Sequence, residues 1–352
     1  MTKFLHDLTL EELKQLVATL GDKPFRAQQL WELMLAYKSQ TESSNLPKSL
    51  IEKLINNDYV FQPLSLQAEF KGKDATKYLL KTTDDNLIEC VIMPYNHGNT
   101  ICVSTQIGCR MGCKFCASGE NGLVRNLTAG EILSEVLLVN RILTQNNVQN
   151  ASKDRKITNI VLMGSGEPLD NYDNVIKFLK LVIDPKGICI SPRNISLSTC
   201  GLAPKIIMLA KENLPITLSI SLHATTDEMR KQTMPVANAY SLAELFKAIR
   251  AYQKECGRRV CFEYITTPQN TTPADAKRLG DLTKGLLCFV NLIVPNPTPG
   301  QKQVFTRNEA YKFGGELQKY GVRATVRRSL GADIEGACGQ LRRRVLKEQG
   351  KL

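Results

Sequence analysis

Cys109, Cys113 and Cys116 stand three and then two residues apart in Cys109-Arg-Met-Gly-Cys113-Lys-Phe-Cys116. Thiolates this close on one short stretch can address a single soft metal centre. Four cysteines would complete a closed zinc site or an ordinary electron-transfer cluster. Three leave a position open, so one iron of a [4Fe–4S] cube would be free to bind a small molecule. The residues that follow, Ala-Ser-Gly-Glu-Asn-Gly at 117–122, are small and turn-forming, which lets the backbone pass close to a bulky group. A zinc knot is the plainer reading, but no second close Cys/His pair follows to complete it.

Other residues suited to chemistry are spread along the chain. Gly164-Ser-Gly166-Glu167-Pro168 combines bare backbone with one carboxylate, which suits an ammonium group or, equally, a tight turn. Ser198 and Ser221 offer hydroxyls to a ribose or a carboxylate, or are simply polar residues at strand ends. His223 is one of three histidines and suits either a hydrogen-bonded structural imidazole or a ligand contact. Asn296, between two prolines, sits on a fixed backbone. Cys102 reads by itself as a buried apolar cysteine. Cys338 is flanked by Gly336, Ala337 and Gly339 in a glycine-rich stretch close to basic residues, surroundings that keep a thiol accessible and lower its pKa.

The elements that must position these groups follow from the apolar pattern. Residues 1–60 read as short helices: Thr9 and Glu12 form a capping box before Leu10, Leu13, Leu16 and Val17, and Gly21 ends that helix. A second helix begins near Pro24 and turns Phe25, Leu30, Trp31, Met34 and Leu35 inward. A third carries Leu50, Ile51, Leu54 and Ile55. Residues 61–98 read as a linker and a hairpin turning at Asp84-Asp85-Asn86. From about 99 to 300, six apolar runs alternate with helical stretches: Thr100–Ser104, Ile157–Met163, Ile195–Thr199, Ile216–Leu222, Val260–Ile265 and Phe289–Val294. A seventh run, Arg323–Arg328, extends the series, and residues 301–352 form a C-terminal extension. Six βα repeats predict an α/β fold, a partial (β/α)6 barrel, with an N-terminal helical accessory domain and a β-hairpin extension. Chemistry in such folds gathers at the C-terminal strand ends, and each motif above falls just after a predicted strand.

Bulk properties narrow the class. The 352 residues carry 46 Lys and Arg against 34 Asp and Glu, a net charge of +12 that favours a polyanionic partner. The last thirty residues hold eight basic side chains against three acidic ones. These are either a solvated tail helix or phosphate contacts. Eleven cysteines, an odd number, with no secretory signal argue for reduced thiols in the cytoplasm. No apolar run approaches the ~18 residues that a membrane span requires.

The ordered set Cys102-Val-Ser-x4-Cys109-x3-Cys113-x2-Cys116, Gly122-x-x-Arg125-Asn126-Leu127, Met163-Gly-x-Gly-Glu-Pro-Leu169, Ser221-Leu-His-Ala224, Asn291-Leu-Ile-x-x-Asn296-Pro297 and Asp333-Ile-x-x-Ala-Cys338-Gly-Gln-Leu341 resembles the radical-SAM adenine-2 methyltransferases of ribosomal and transfer RNA, the RlmN/Cfr family. The likeness runs over nearly the whole chain. It implies that Cys109, Cys113 and Cys116 hold a [4Fe–4S] cluster. It implies that Gly166, Glu167, Ser198, Ser221, Leu222, His223 and Asn296 bind S-adenosylmethionine (SAM). Cys338 would carry a methyl group, Cys102 would resolve the covalent intermediate, and Glu89 would accept a proton.

The implied reaction consumes two SAM molecules, because carbon 2 of adenine is too electron-poor to attack a methyl sulfonium. One SAM methylates the Cys338 thiolate. The second is cleaved to a 5′-deoxyadenosyl radical that takes a hydrogen from methyl-Cys338, and the resulting carbon radical adds to the base. Proton loss and attack by Cys102 release the RNA and leave a Cys102–Cys338 disulfide for reduction. The implied partners are 23S rRNA, tRNA and an electron donor such as flavodoxin with its reductase. A monomer with no membrane contact is expected. Ser165, Cys200 and Thr266–Pro273 depart from the family pattern. A carbon-8 methylase shares the cysteines, so that alternative stays open, as do another radical-SAM reaction and a zinc-containing RNA-binding protein.

Overall fold

The computed structural model describes residues 2–43, 45–146, 156–295 and 305–328. Asn296, Cys338 and the basic run Arg342–Arg344 lie outside them.

The chain begins with strand β1 (Lys3–Phe4) and three helices, α1 (Leu10–Thr19), α2 (Arg26–Leu35) and α3 (Lys48–Asn56), closed by β2 (Tyr59–Val60) beside β1. The Thr9–Glu12 capping box starts α1: the Glu12 N–H donates to Thr9 Oγ1 and the Thr9 N–H donates to Glu12 Oε2. Leu13, Val17, Leu30, Trp31, Met34, Leu50 and Leu54 are buried, and they join the same continuous core as the barrel. Trp31 Nε1 donates to Lys186 O at 2.7 Å, and Lys177 Nζ meets Glu12 Oε1 at 2.9 Å. The helical unit is therefore docked through apolar and polar contacts alike. One of the side chains expected inward faces out: Phe25 is 52% exposed. Phe25 precedes the first turn of α2 rather than lying on its inner face, and it lies under the Arg26 guanidinium.

His6 is fully buried beside this helical unit, its Nε2–H donating to Met34 O at 3.2 Å. Burial holds its pKa down to about 4. The unfolded state, with a pKa near 6.5, takes up its proton first as pH falls, so stability is lost between about pH 6.5 and 4. Going from pH 7 to pH 5 should cost about 2 kcal/mol through this residue. Urea unfolding at the two pH values should show that dependence in the parent and its loss in His6→Gln.

The main body is one ten-stranded sheet. Strands β3 (Leu64–Lys71), β4 (Thr76–Thr82) and β5 (Leu87–Tyr95) run antiparallel and join β6 (Gly98–Cys102). The hairpin turn falls at 84–86 as expected, with β3 as a third strand on its outer edge. A small second hairpin, β7 (Gln106–Gly108) and β8 (Leu123–Asn126), follows β6. The series then runs α4 (Ala129–Asn146), β9 (Ile157–Leu162), α5 (Tyr172–Ile183), β10 (Ile195–Thr199), α6 (Ala203–Lys211), β11 (Thr217–Ser221), α7 (Asp227–Thr233), α8 (Leu242–Cys256), β12 (Val260–Ile265), α9 (Pro273–Thr283), β13 (Cys288–Ile293), α10 (Arg307–Gln318) and β14 (Ala324–Val326).

The strand order is β14-β13-β12-β11-β10-β9-β6-β5-β4-β3, with β6 and β9 through β14 parallel in succession. Six of these parallel strands match the six predicted runs, and β14 matches the seventh. The two edge strands do not pair with each other, so the barrel is open. Leu197, Leu218, Ile220, Phe262, Tyr264, Val290 and Leu292 sit in the main core with the helices. Period-two alternation sends the residues between them to the opposite, inner face. Among the described residues no helix is long and apolar enough to cross a membrane.

Candidate active site

The β7–β8 hairpin closes the base of the three-cysteine loop. Gln106 pairs with Asn126 and Ile107 with Arg125, and the Cys109 N–H donates to Gly122 O at 2.9 Å. Gly108 has φ +79°, and a Cβ there would lie 2.1 Å from Gly122 O, so only glycine lets the strands close at this point. Inside the loop the Cys116 N–H turns back to Cys113 O at 3.0 Å. Arg110 forks onto Asp170, whose Oδ2 also accepts from Gln106 Nε2 at 2.9 Å, so the loop is tied to the segment after β9.

Cys109 is buried, while Cys113 and Cys116 are half-buried. Burial first, then the neighbouring thiols, pushes Cys109 up to about 11 and Cys113 up to about 12. Burial raises Cys261 and Cys288, outside the loop, in the same way. Among the described residues no three His, Cys, Asp or Glu side chains converge on one point that a single ion would occupy. A four-iron cube does not ask for that, since each thiolate takes a different iron. The loop fits the cube better than a zinc knot.

The residues expected to bind SAM rim the next three strand ends. Ser198 pairs with Ser219 across β10 and β11, and Ser221 pairs with Glu263 across β11 and β12. Ser196 and Ser219 hydroxyls meet at 3.0 Å, so this inner face is lined with hydroxyls. Glu167 is buried, its Oε2 accepting from the Cys200 N–H at 2.7 Å and its Oε1 from the Leu169 N–H at 3.0 Å. Burial raises its pKa, and these N–H donors oppose the rise.

Gly166 has φ +105°, and a Cβ there would lie 2.6 Å from Gln106 Cβ and 2.8 Å from Gln106 N. Its bareness thus serves the approach of its own chain, where the sequence suggested approach to a ligand. Leu222 is fully buried in the main core, its N–H donating to Glu263 O at 3.1 Å and its carbonyl accepting from the Ala224 N–H at 2.8 Å. His223 is a hydrogen-bonded structural imidazole. Its Nδ1 accepts from the Ile265 N–H at 3.1 Å, which fixes the tautomer and leaves Nε2–H as a donor. Its ring stands edge-on to Phe115 of the cysteine loop, with centroids 4.8 Å apart.

Cys102 is buried with Ala75 and Val91 in a small apolar cluster separate from the main core. Val91 pairs with Cys102, and Glu89, two residues earlier on β5, shares that face. Glu89 Oε2 lies 3.0 Å from Lys77 Nζ, with both side chains buried. The fold therefore brings Glu89 and Cys102 onto one inner face.

Several polar residues here went unread in the sequence. Lys77 had a signal: in Lys77-Tyr-Leu-Leu it shares a strand face with Leu79, opposite the strand that carries Glu89. Glu263, Asn291 and Thr325 form a chain across β12, β13 and β14, Asn291 Nδ2 donating to Glu263 Oε2 at 2.9 Å. Arg230, on a seven-residue helix with no clear apolar period, gave no signal.

Residues 103–273 match the family model of the radical SAM superfamily, and residues 4–60 match that of the ribosomal RNA large subunit methyltransferase N-terminal domain. A relative from Clostridium perfringens described as a probable dual-specificity RNA methyltransferase RlmN is 50% identical over 355 residues, covering 99% of each chain. The chain belongs to the RlmN family of radical-SAM proteins. A Clostridium acetobutylicum relative of the same description is 46% identical, covering 98% of this chain and 99% of its own. The crystal structure of a radical SAM methyltransferase from Sphaerobacter thermophilus superposes with a TM-score of 0.88 at 38% identity, covering 96% of this chain and 98% of that one. The family's N-terminal model spans the three docked helices, and its radical SAM model begins just after Cys102.

Proposed function

We propose that this chain is a SAM-dependent RNA methyltransferase that methylates carbon 2 of an adenosine in 23S rRNA, at the peptidyl-transferase centre, and of the adenosine next to the anticodon in tRNAs. The observation that carries the reading is the shared inner face of Glu89 and Cys102. A radical-SAM enzyme that only cleaves its cofactor has no need of a reserved second thiol and a carboxylate there. The relatives described as dual-specificity RNA methyltransferases, and the net charge of +12, support an RNA substrate.

Cys109, Cys113 and Cys116 would hold the cluster, which when bound supplies the electron that cleaves SAM. Glu167, Ser198, Ser221, Leu222, His223 and Asn296 would orient the cofactor, with Gly166 shaping the turn behind it. Glu89 would receive the proton lost from the base. Cys102, kept from solvent in its apolar cluster, would resolve the covalent intermediate that Cys338 carries. An electron donor of the flavodoxin type would serve the reduction.

Anaerobically reconstituted protein given SAM, reductant and RNA should form 2-methyladenosine, read by mass spectrometry of the digested RNA. Accumulation of 8-methyladenosine instead would establish the carbon-8 alternative. Cys338→Ala should lose methylation while retaining the cluster's absorbance and SAM cleavage. Methylated adenosine from that variant would remove Cys338 from the carrier role.

A further inference from the structure

Arg230 on α7 is fully buried, and among the described residues no carboxylate lies within ion-pair distance of it. Its Nε donates to Leu222 O at 3.3 Å, and its Nη2 to Cys200 O at 2.5 Å and Ser221 O at 3.3 Å. Those three carbonyls lie just beyond β10 and at the end of β11, so the guanidinium bridges the two strand ends that flank the expected SAM site. Nη1 is buried and has no hydrogen-bond partner. Asp227, three residues earlier, gives its Oδ1 to the Leu242 N–H.

A guanidinium stays charged in any protein, so burying it against carbonyl dipoles alone leaves one positive charge uncompensated. That arrangement is costly unless an anion arrives. The neighbours indicate where the anion belongs. The turn after α7 packs beneath the cysteine loop: the Lys114 N–H donates to Thr233 O at 3.0 Å, and Cys113 packs with Cys200, Met234 and Val236. Burial pulls the pKa of Arg230 down, and Cys200, Cys113 and Asp227 oppose it.

We infer that Arg230 is the buried counter-charge of the iron–sulfur cluster, on its Cys113 side. The inference rests on the cluster reading of the three cysteines. Three thiolates outweigh the charge of the oxidised iron–sulfide core by one, and by two once an electron is added. A fixed cation beside them stabilises the reduced form more than the oxidised form, and so raises the reduction potential. Arg230 thereby makes the cluster reducible by a mild donor, and its fork holds the β10 and β11 ends in the same act.

The test is an EPR-monitored redox titration of the anaerobically reconstituted full-length chain without SAM. Arg230→Met and Arg230→Gln should each lower the equilibrium constant for reduction at least tenfold, about 59 mV for a one-electron couple. Arg230→Lys keeps the charge but makes it titratable, because burial depresses an ammonium pKa where it cannot discharge a guanidinium. Its potential should fall as pH rises from 6 to 9 by more than that of the parent. This variant decides the matter if the neutral ones fail to fold. A parent-like potential in the neutral variants, or no added pH dependence in the lysine variant, overturns the inference. Weakened SAM binding with an unmoved potential would assign the charge to the methionine carboxylate instead. A parent protein without an iron–sulfur signal would refute the cluster reading itself, an outcome distinct from these.

Discussion

Cys113→Ala is expected to yield a folded protein that no longer retains its iron–sulfur cluster. Cys113 is half-buried and lies in a small apolar cluster with Cys200, Met234 and Val236, so alanine removes one sulfur from a site that tolerates a small apolar residue. The loop keeps its closing bonds, Cys109 N–H to Gly122 O and Lys114 N–H to Thr233 O, because both are made by backbone. Two thiolates cannot hold three irons, so iron and sulfide per chain should fall from about four to well below one after desalting. Cleavage of SAM on reduction should fall with them, to the limit of detection. Iron analysis, absorbance near the thiolate-to-iron charge-transfer region and chromatographic assay of 5′-deoxyadenosine check this. Full retention of four irons by the variant would place the third ligand elsewhere and return the loop to the status of a turn. Circular dichroism separates loss of the cluster from loss of the fold.

Lys77→Met should be the most destabilising single change among the inner-face residues. Lys77 is fully buried and Glu89 nearly so, and they meet at 3.0 Å. Removing the ammonium leaves a buried carboxylate facing an apolar thioether, a change that costs about 3–5 kcal/mol. At roughly 2.1 cal/mol/K of unfolding entropy per residue, that lowers Tm by about 4–7 °C for a chain of this length. Adding Glu89→Gln should recover most of the loss, because a neutral pair no longer strands a charge. A double-mutant cycle by urea unfolding should therefore show strong coupling. Additive losses would mean that the two side chains meet without depending on each other.

The barrel strands were legible because each is a short apolar run bounded by turn residues, and Ile195–Thr199 and Val260–Ile265 form over the residues read from the pattern. The Thr9–Glu12 box was legible because capping is local, needing only residues three apart. Phe25 was misread because helical periodicity was extended one residue past the true start of α2. The strands β3, β7 and β8 were missed for a different reason. Leu64–Lys71 is an edge strand with mostly exposed residues, and the pieces 106–108 and 123–126 are too short to show a period. At Gly166 the structure supplies a reason for glycine that the sequence did not show. Its backbone freedom was visible in the sequence, but only the fold reveals that Gln106 occupies the space.

The sequence by itself determined the three-thiol pattern, since residue type and spacing sit within eight residues and need no long-range contact. It also determined the layered α/β architecture, because period-two and helical patterns are local properties of the chain. Only the tertiary structure decided which distant residues share a surface. Lys77 beside Glu89, Glu89 with Cys102, and Arg230 under Cys200, Ser221 and Leu222 arise from sheet register and from the packing of α7 against two strand ends. A buried charge reads in a sequence like any surface charge. Its cost, and hence its purpose, exists only once the surrounding water is gone.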